Sequence, residues 1–457
     1  MFKKVLIANR GEIAVQIIRA LRELNIKSVA VYSTIDENEL FVKLADEAVC
    51  IGRPNVSDSY LNKFEIINTA ILTGCDAIHP GYGFLSENAE FADMCVEHGL
   101  KFIGPSASVI SLMGNKANAR TAMIEAGLPV IPGSHGNLSD LNEAKKVANK
   151  VGYPILLKAS AGGGGKGIRV VKHENEMEKA FLEAKLEAQN AFGDSNLYLE
   201  KIVSNARHIE MQFLADTHGK IIYFPERDCS LQRNHQKVIE VTPSKLISTK
   251  EREYLGQLVI KAVKKINYEN TGTIEFLMDS KHRFYFMEMN TRLQVEHTIT
   301  EEITGVSFIK EQIKIAMGQP MSVIQPSNQI TKYAIECRIN AEDVNHGFMP
   351  VVGKVEDLYL PTGTYGVRID TGIMNGSYIS PYYDSMICKL IVKDANKHDA
   401  LIKMNRVLQE FNVAGIKTNC KFLQALLDSD WFNNEYYSTN YIEKVFTESC
   451  KKNGTQF

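Results

Sequence analysis

The sequence predicts a protein of mixed α/β and α+β class, in which several packed units begin with a parallel sheet. Short apolar runs at 5–8, 27–32 and 77–79 alternate with helical periodicity, which is typical of a parallel sheet covered by helices on both faces. Further along, two strand-like segments at 153–159 and 168–172 flank a glycine loop and indicate a small α+β unit. A chain of 457 residues accommodates two to three such units.

Composition and charge exclude several classes of partner. The hydrophobic content is 44%, the charged content 23% and the net charge −2, so no broad electrostatic basis for binding nucleic acid or an anionic membrane exists. No stretch approaches the roughly 20 apolar residues that span a bilayer, and the N-terminal apolar run is too short for a signal peptide. The eight cysteines are scattered without a CxxC pair, which favours reduced thiols and a cytoplasmic protein.

The first unit is predicted over residues 1–114 and carries a loop suited to ligand binding. Its strand at 77–79 ends at the Pro-Gly-Tyr-Gly turn of residues 80–83. Ligands of parallel sheets bind at the C-terminal ends of the strands. The sequence therefore predicts that the 79–88 loop lies beside a binding site.

Two further units and a tail follow the first. A strand-rich second unit is predicted over 115–330, with a lid at about 132–202. A third unit over 331–446 mixes strands with a closing helix, and the polar tail 447–457 is expected to fray.

A glycine-rich loop, AGGGGKG at 161–167, follows Lys158 at the end of an apolar strand. The loop contains GxGxxG, but a strand follows where a dinucleotide fold needs a helix, and Gly167 stands where Walker A needs Ser or Thr. The pattern favours a flexible flap whose amides approach phosphates, with Lys158 as a phosphate ligand. An ordinary hairpin loop and a surface lysine are the alternatives.

The segment 271–290 predicts a β-hairpin that places two acids opposite each other. If 280–283 is a four-residue loop, Asp279 opposes Phe284. The same register then pairs Glu275 with the glutamate at position 288.

Opposed carboxylates in apolar strands repel each other, and such a pair persists where a hard cation lies between them. Asn290 is predicted on the same strand face as Glu288. Together with Glu275 these residues offer oxygen ligands that suit Mg²⁺ shared with nucleotide phosphates. A register error that sends one acid to solvent, or a proton shared between the acids, would also explain the pattern.

Charged residues beyond the hairpin predict an anion site. Arg292 and Glu296 follow the acids within a few residues, which places an anion-binding arginine beside a candidate general base. Arg338 lies in a strand-like run, where a buried charge needs a partner or a ligand. Surface salt bridges are the alternative for the first two residues, and a solvated loop is the ordinary interpretation of the polar stretch 226–240.

Seven ordered blocks along essentially the whole chain resemble the biotin carboxylase family. They are IANRGEIA (7–14), HPGYGFLSENAEFA (79–92), KASAGGGGKGIRVV (158–171), ERDCSLQRNHQK (226–237), EMNTRLQVEH (288–297), ECRINAED (336–343) and PYYDSMICKL (381–390). The resemblance implies an ATP-grasp fold with a Rossmann-like preATP-grasp domain, an ATP-grasp domain with a mobile glycine-rich lid, and a C-terminal biotin carboxylase domain. It also implies a homodimer.

By motif, the resemblance implies a role for each of several residues. The residues that would contact ATP are Lys116, Lys158, Gly164, Gly165, Glu200, Lys201, Val203, His208, Gln232 and His235. The residues that would bind Mg²⁺ or Mn²⁺ are Glu275, Glu288 and Asn290. The residues that would hold bicarbonate are Lys237, Arg292, Gln294 and Val295. Glu296 would be the base, and Arg338 would stabilise the biotin anion.

The chemistry that this resemblance implies is the first half-reaction of a biotin-dependent carboxylase such as acetyl-CoA carboxylase of fatty acid biosynthesis. Bicarbonate would attack the γ-phosphate of ATP, and carboxyphosphate would release CO₂ to biotin on a separate biotin carboxyl carrier protein. Carboxyltransferase subunits would complete the reaction. Ile402-Lys403-Met404 resembles a biotinylation site only superficially, because it lies in a helical pattern.

Some positions depart from the family pattern and indicate a divergent paralogue. They are Asn115, Val241, Thr298 and Val351-Val352. Three alternatives to a component of acetyl-CoA carboxylase remain at this stage. They are a component of pyruvate carboxylase or another carboxylase, a different ATP-grasp ligase, and a silent subunit that only binds nucleotide or carrier. Retention of Lys237, Glu296 and Arg338 argues against the silent subunit.

Overall fold

The computed structural model of the chain describes residues 1–134, 136–160 and 167–446. Its N-terminal part is a five-stranded parallel sheet with helices on both faces. The strands are β1 (Lys4–Ile7), β2 (Lys27–Ser33), β3 (Glu47–Gly52), β4 (Ala77–His79) and β5 (Lys101–Phe102). The helices are α1 (Gly11–Glu23), α2 (Leu40–Leu44), α3 (Lys63–Leu72), α4 (Ala89–Glu97) and α5 (Ala107–Gly114). The strand order is β3-β2-β1-β4-β5, and two apolar clusters fill the two faces.

A small α+β unit follows, as the strand–glycine loop–strand pattern predicts. Its elements are α6 (Lys116–Glu125), α7 (Leu141–Val151), β6 (Ile155–Ala159), β7 (Ile168–Val171), α8 (Met177–Phe192) and β8 (Leu197–Lys201). The sheet order is β7-β6-β8, and α7 and α8 pack on it through their own apolar cluster.

The central region is rich in antiparallel strands. Its elements are β9 (Arg207–Ala215), β10 (Ile221–Tyr223), β11 (Arg227–Arg233), β12 (Gln236–Thr242), α9 (Thr249–Lys265), β13 (Asn270–Met278), β14 (Phe284–Asn290), α10 (His297–Thr304) and α11 (Phe308–Ala316).

The C-terminal region adds two long strands and several short ones. Its strands are β15 (Tyr333–Asn340), β16 (Glu342–Asp343), β17 (Met349–Pro350), β18 (Gly353–Lys354), β19 (Asp357–Tyr359), β20 (Val367–Thr371), β21 (Tyr378–Ile379), β22 (Met386–Asp394) and β23 (Asn412–Ala414). Its helices are α12 (Lys397–Glu410), α13 (Cys420–Leu427) and α14 (Asp430–Asn433). Short 3₁₀ turns lie at Thr34–Asp36, Val56–Asp58, Glu174–Glu176 and Val344–His346, and a π-helical turn at Ile442–Phe446.

One nine-stranded sheet joins the central and C-terminal regions. Its order is β14-β13-β9-β11-β12-β15-β22-β20, with β10 paired to β9. The antiparallel pairing of β12 with β15 crosses the predicted boundary at residue 330. Side chains on these two strands therefore lie close together although about 100 residues separate them in the chain.

The hairpin prediction is correct for the two acids and wrong for its loop. Glu275 opposes Glu288, as predicted. Phe284, however, pairs with Met278 rather than with Asp279, so the loop has one residue more than expected. A register shift between Glu275 and Phe276 compensates, because a bulge adds one residue to one strand and restores the predicted pairing of the acids.

Within the residues that the structure describes, no helix has the length and apolar character to cross a bilayer. The seven cysteines within the same residues are free thiols.

Candidate active site

Lys237 on β12 lies at the centre of a buried cluster of carboxylates. Its Nζ is 2.6 Å from Glu210 Oε2, 3.0 Å from Glu275 Oε1 and 2.5 Å from Glu296 Oε1. The three glutamates come from β9, from β13 and from the residue before α10. Burial lowers the pKa of Lys237, but the three carboxylates outweigh this and raise it well above its ordinary value. The ammonium is therefore charged throughout the physiological pH range.

Glu296 bridges Lys237 and Arg338. Its Oε1 accepts from Lys237, and its Oε2 accepts from Arg338 Nη2 at 2.8 Å. Glu240, on the neighbouring strand, accepts from Arg338 Nε at 2.6 Å. Burial alone would raise the pKa of Glu296, but Lys237, Arg338 and Arg227 lower it well below the ordinary value. Glu296 is thus a fully buried carboxylate that remains ionised because cations surround it.

Arg292 lies beside this cluster and has contacts on two sides. Its Nε donates to Glu87 Oε2 at 2.8 Å, which links it to the 79–88 loop of the N-terminal sheet. Its Nη1 donates to Gln294 Oε1 at 3.0 Å. Gln294 in turn donates from Nε2 to Glu275 Oε1 at 3.0 Å. The loop after β4 therefore lies at the site, as the parallel-sheet argument predicts.

The side of the cluster that faces the small α+β unit has two more lysines, each paired with a glutamate. Lys116, the first residue of α6, lies 3.3 Å from Glu288 Oε2, and this carboxylate raises its pKa. Lys158 on β6 donates to Glu200 Oε2 on β8 at 2.6 Å. Arg120 lies 3.3 Å from the other oxygen of Glu200. Both predicted phosphate lysines are thus close to predicted site residues.

His208 and Gln232 extend the cluster. Gln232 Nε2 and His208 Nδ1 are 2.6 Å apart. The other ring nitrogen of His208 lies 3.0 Å from Glu275 Oε2. Although burial disfavours its charged form, Glu275 raises the pKa of His208.

Some predicted site residues lie apart from this cluster. The Lys201 ammonium donates to the backbone carbonyls of Gly152 and Tyr153, at 2.6 and 2.8 Å. Val203 lies in the loop that follows β8, and His235 is exposed in the turn between β11 and β12. The two glycines predicted in the flap, Gly164 and Gly165, lie outside the described residues.

The donor set of Glu275, Glu288 and Asn290 fits a hard divalent cation. All three offer oxygen atoms, and Asn290 Nδ2 donates to Glu275 Oε1 at 2.9 Å, so the amide already lies against the carboxylate. The two acids also directly oppose each other, an arrangement that is repulsive without a cation.

Sequence reasoning missed three buried residues of the cluster. Glu210 and Arg227 are fully buried, and Arg227 Nε lies 2.5 Å from Glu210 Oε1. Glu240 is also fully buried, next to Arg338. The available signal was a charge inside an apolar strand pattern, as in the HIEMQFLA of β9, where an unpaired charge would be costly.

Three family models match successive parts of the chain. Residues 1–110 match the biotin carboxylase N-terminal domain, and residues 336–444 match the biotin carboxylase C-terminal domain. Residues 115–324 match the ATP binding domain of the carbamoyl-phosphate synthase L chain. With the small α+β unit, the opposed acids and the lysine cluster, these matches define an ATP-dependent enzyme with the ATP-grasp fold.

Similar proteins narrow this class to one family. Biotin carboxylase 1 of Bacillus subtilis is 49% identical over 97% of this chain and 98% of its own length. The 2-oxoglutarate carboxylase small subunit of Hydrogenobacter thermophilus is 48% identical over 97% of this chain and 94% of its own. The chain belongs to the biotin carboxylase family, whose enzymes carboxylate biotin at the expense of ATP.

Solved structures agree with this assignment. The biotin carboxylase domain dimer of the Hydrogenobacter thermophilus 2-oxoglutarate carboxylase was crystallised with MgADP, ADP and bicarbonate. It is 48% identical to this chain, with 97% and 98% of the two chains covered and a TM-score of 0.93. A biotin carboxylase from Campylobacter jejuni is 46% identical, with the same coverage and the same TM-score.

Proposed function

We propose that this chain uses ATP and bicarbonate to carboxylate biotin on a separate carrier protein, with Glu296 as the general base. The observation that carries the proposal is the buried bridge from Lys237 through Glu296 to Arg338. A carboxylate between two cations can accept a proton from an anion that those cations also attract. The bridge therefore offers both parts of bicarbonate activation in one place.

The substrates are assigned to the two sides of the cluster. Lys237, Arg292, Gln294 and Val295 would hold bicarbonate. The nucleotide side would comprise Lys116, Lys158, Gly164, Gly165, Glu200, Lys201, Val203, His208, Gln232 and His235. The pairing of Lys116 with Glu288, and of Lys158 with Glu200, supports this side, because phosphate oxygens can replace these carboxylates as partners of the ammonium groups.

The proposed reaction first activates bicarbonate with ATP and then carboxylates biotin. Glu296 takes the proton of bicarbonate, and a bicarbonate oxygen attacks the γ-phosphorus of ATP while the bond to ADP breaks. Carboxyphosphate then separates into CO₂ and phosphate, and the phosphate removes the ureido N–H proton of biotin. The biotin nitrogen bonds to CO₂, while Arg338 stabilises the negative charge on the ureido oxygen.

Glu275, Glu288 and Asn290 would hold Mg²⁺ or Mn²⁺, which neutralises phosphate charge during phosphoryl transfer. Within the cluster, Lys237 partly balances the charge of Glu275, and Lys116 partly balances the charge of Glu288. Although burial opposes it, the charges of Lys237 and His208 lower the pKa of Glu275 below its ordinary value.

We propose a homodimeric protein that serves a biotin carboxyl carrier protein and carboxyltransferase subunits. A relative from Methanothermobacter thermautotrophicus, 47% identical to this chain, is named as one subunit of a pyruvate carboxylase, which supports a divided enzyme. Lys403 is a poor biotinylation site, because it lies in α12 and its Nζ contacts Asp394 at 2.6 Å. We propose acetyl-CoA as the final acceptor of the carboxyl group. Pyruvate and 2-oxoglutarate are the alternatives, because subunits of carboxylases for these two acceptors are 47% and 48% identical to this chain.

The test is phosphate release from ATP by the purified chain with Mg²⁺, with and without bicarbonate and biotin. Release that needs bicarbonate and rises with biotin is the expected result. Turnover that is indifferent to both would identify a different ligase. Absence of turnover with a range of biotinylated carriers would identify a silent subunit. Carriers from the three candidate systems, compared by kcat/KM, would then select the acceptor.

A further inference from the structure

Lys389 on β22 is fully buried and contacts the segment that precedes α10. Its Nζ donates to the backbone carbonyl of Val295 at 2.9 Å. On another side, the same Nζ lies 2.9 Å from Glu12 Oε1 on α1. Tyr82, in the loop after β4, donates its hydroxyl to Glu12 Oε1 as well. Three distant parts of the chain thus meet at Lys389 and its partner Glu12.

A buried ammonium is costly unless charges and hydrogen bonds surround it. Burial lowers the pKa of Lys389, but Glu12, Glu336 and Asp370 outweigh it and raise the pKa above its ordinary value. The ammonium is therefore charged when it donates to the carbonyl. Such a charge-assisted hydrogen bond is stronger than a neutral one.

The neighbouring carbonyl is fixed in a similar way. His297 Nδ1 donates to the carbonyl of Gln294 at 2.8 Å. Burial, together with the charges of Lys389 and Arg368, lowers the pKa of His297 well below its ordinary value, so the ring is neutral. Two consecutive carbonyls, those of Gln294 and Val295, are thus held by donors from the protein interior.

We propose that Lys389 is a positioning residue for bicarbonate. Its hydrogen bond to the Val295 carbonyl, made from the protein interior, fixes the backbone of residues 294–296. This inference rests on the proposed function, in which Gln294 and Val295 hold bicarbonate and Glu296 is its base. Without the ammonium, the Val295 carbonyl loses its donor, and the peptide groups on either side can rotate. Bicarbonate then binds to a segment that is no longer preorganised.

The test compares Lys389→Met with Lys389→Met/Glu12→Gln, because the second variant removes the carboxylate charge that the first leaves unpaired. Lys393→Met is the matched control, since it removes a lysine of the same strand that pairs with Glu302 at 2.7 Å. KM values for bicarbonate and for ATP are measured by biotin-dependent phosphate release, and folding is checked by thermal melting.

Both Lys389 variants should raise the KM for bicarbonate about tenfold or more, since one charged hydrogen bond contributes that much in equilibrium terms. The KM for ATP should change less than about twofold, and the control should resemble the wild type in both constants. The inference is overturned by an unchanged bicarbonate KM, by a parallel rise in the ATP KM, or by loss of folding in both variants. Wild-type protein without bicarbonate-dependent turnover would instead overturn the proposed function, and the inference with it.

Discussion

Replacement of Glu296 by glutamine tests the proposed base directly. The substitution keeps the size of the side chain and one oxygen, but it removes the charge that Lys237 and Arg338 now share. A positioned general base contributes about 10²–10⁴ in rate, so kcat for biotin-dependent phosphate release should fall at least about 100-fold.

The structure also limits how far Glu296→Gln can destabilise the fold. Removal of one member of a buried ion pair typically costs about 3–5 kcal/mol, because the other charge is left unpaired. Here Lys237 keeps two other carboxylates, and Arg338 keeps Glu240. The free energy of unfolding should therefore fall by less than about 3 kcal/mol, and the variant should remain folded.

The assay compares kcat with the Kd for ATP measured without bicarbonate. Glu302→Gln is the control, because Glu302 lies on the adjoining helix and pairs with Lys393. We expect a lower kcat and an unchanged ATP Kd in Glu296→Gln alone. A kcat within about threefold of wild type, or an ATP Kd that rises together with the loss of kcat, would refute the assignment of Glu296 as the base.

Three further predictions concern the metal, the pH dependence of stability and the core. Glu288→Gln should raise the Mg²⁺ concentration for half-maximal activity at least about tenfold, measured by titration at fixed ATP, because a proposed ligand is lost. Burial raises the pKa of Glu336 from its ordinary value of 4.5 to about 8, so the unfolded chain ionises this group first and stability should fall as pH rises from about 4.5 to about 8. Urea unfolding should show that Glu336→Gln removes about 2 kcal/mol of this fall between roughly pH 6 and 8. Arg207→Met should lower the unfolding free energy by about 3–5 kcal/mol in the same assay, because buried Asp228 loses a partner at 2.5 Å.

The elements that the sequence predicts well depend on local patterns. The strand at 77–79 has the predicted bounds, because its apolar pattern and the turn residues that follow it are local signals. The pairing of Glu275 with Glu288 could be predicted because the partners in a hairpin are close in sequence and can be counted outward from its loop. The loop is one residue longer than predicted, and the bulge that compensates for it has no clear sequence signal here.

Contacts that depend on pairing between distant strands could not be predicted from patterns. Glu240 and Arg338 meet because β12 pairs with β15, and Lys389 meets Glu12 only because α1 packs near β22. A buried charge in a strand indicates that a partner exists, but it does not identify the partner.

The contacts of Glu296 indicate how bicarbonate binding would strengthen the proposed base. Both carboxylate oxygens are engaged by cations, and the pKa of Glu296 lies well below the ordinary value, so with these contacts the carboxylate is a weak base. Bicarbonate is an anion and, in the proposed site, would compete with Glu296 for the ammonium of Lys237. Each contact that it takes over removes a positive charge from Glu296 and raises the pKa of the carboxylate. We therefore expect the proposed base to gain strength when bicarbonate binds.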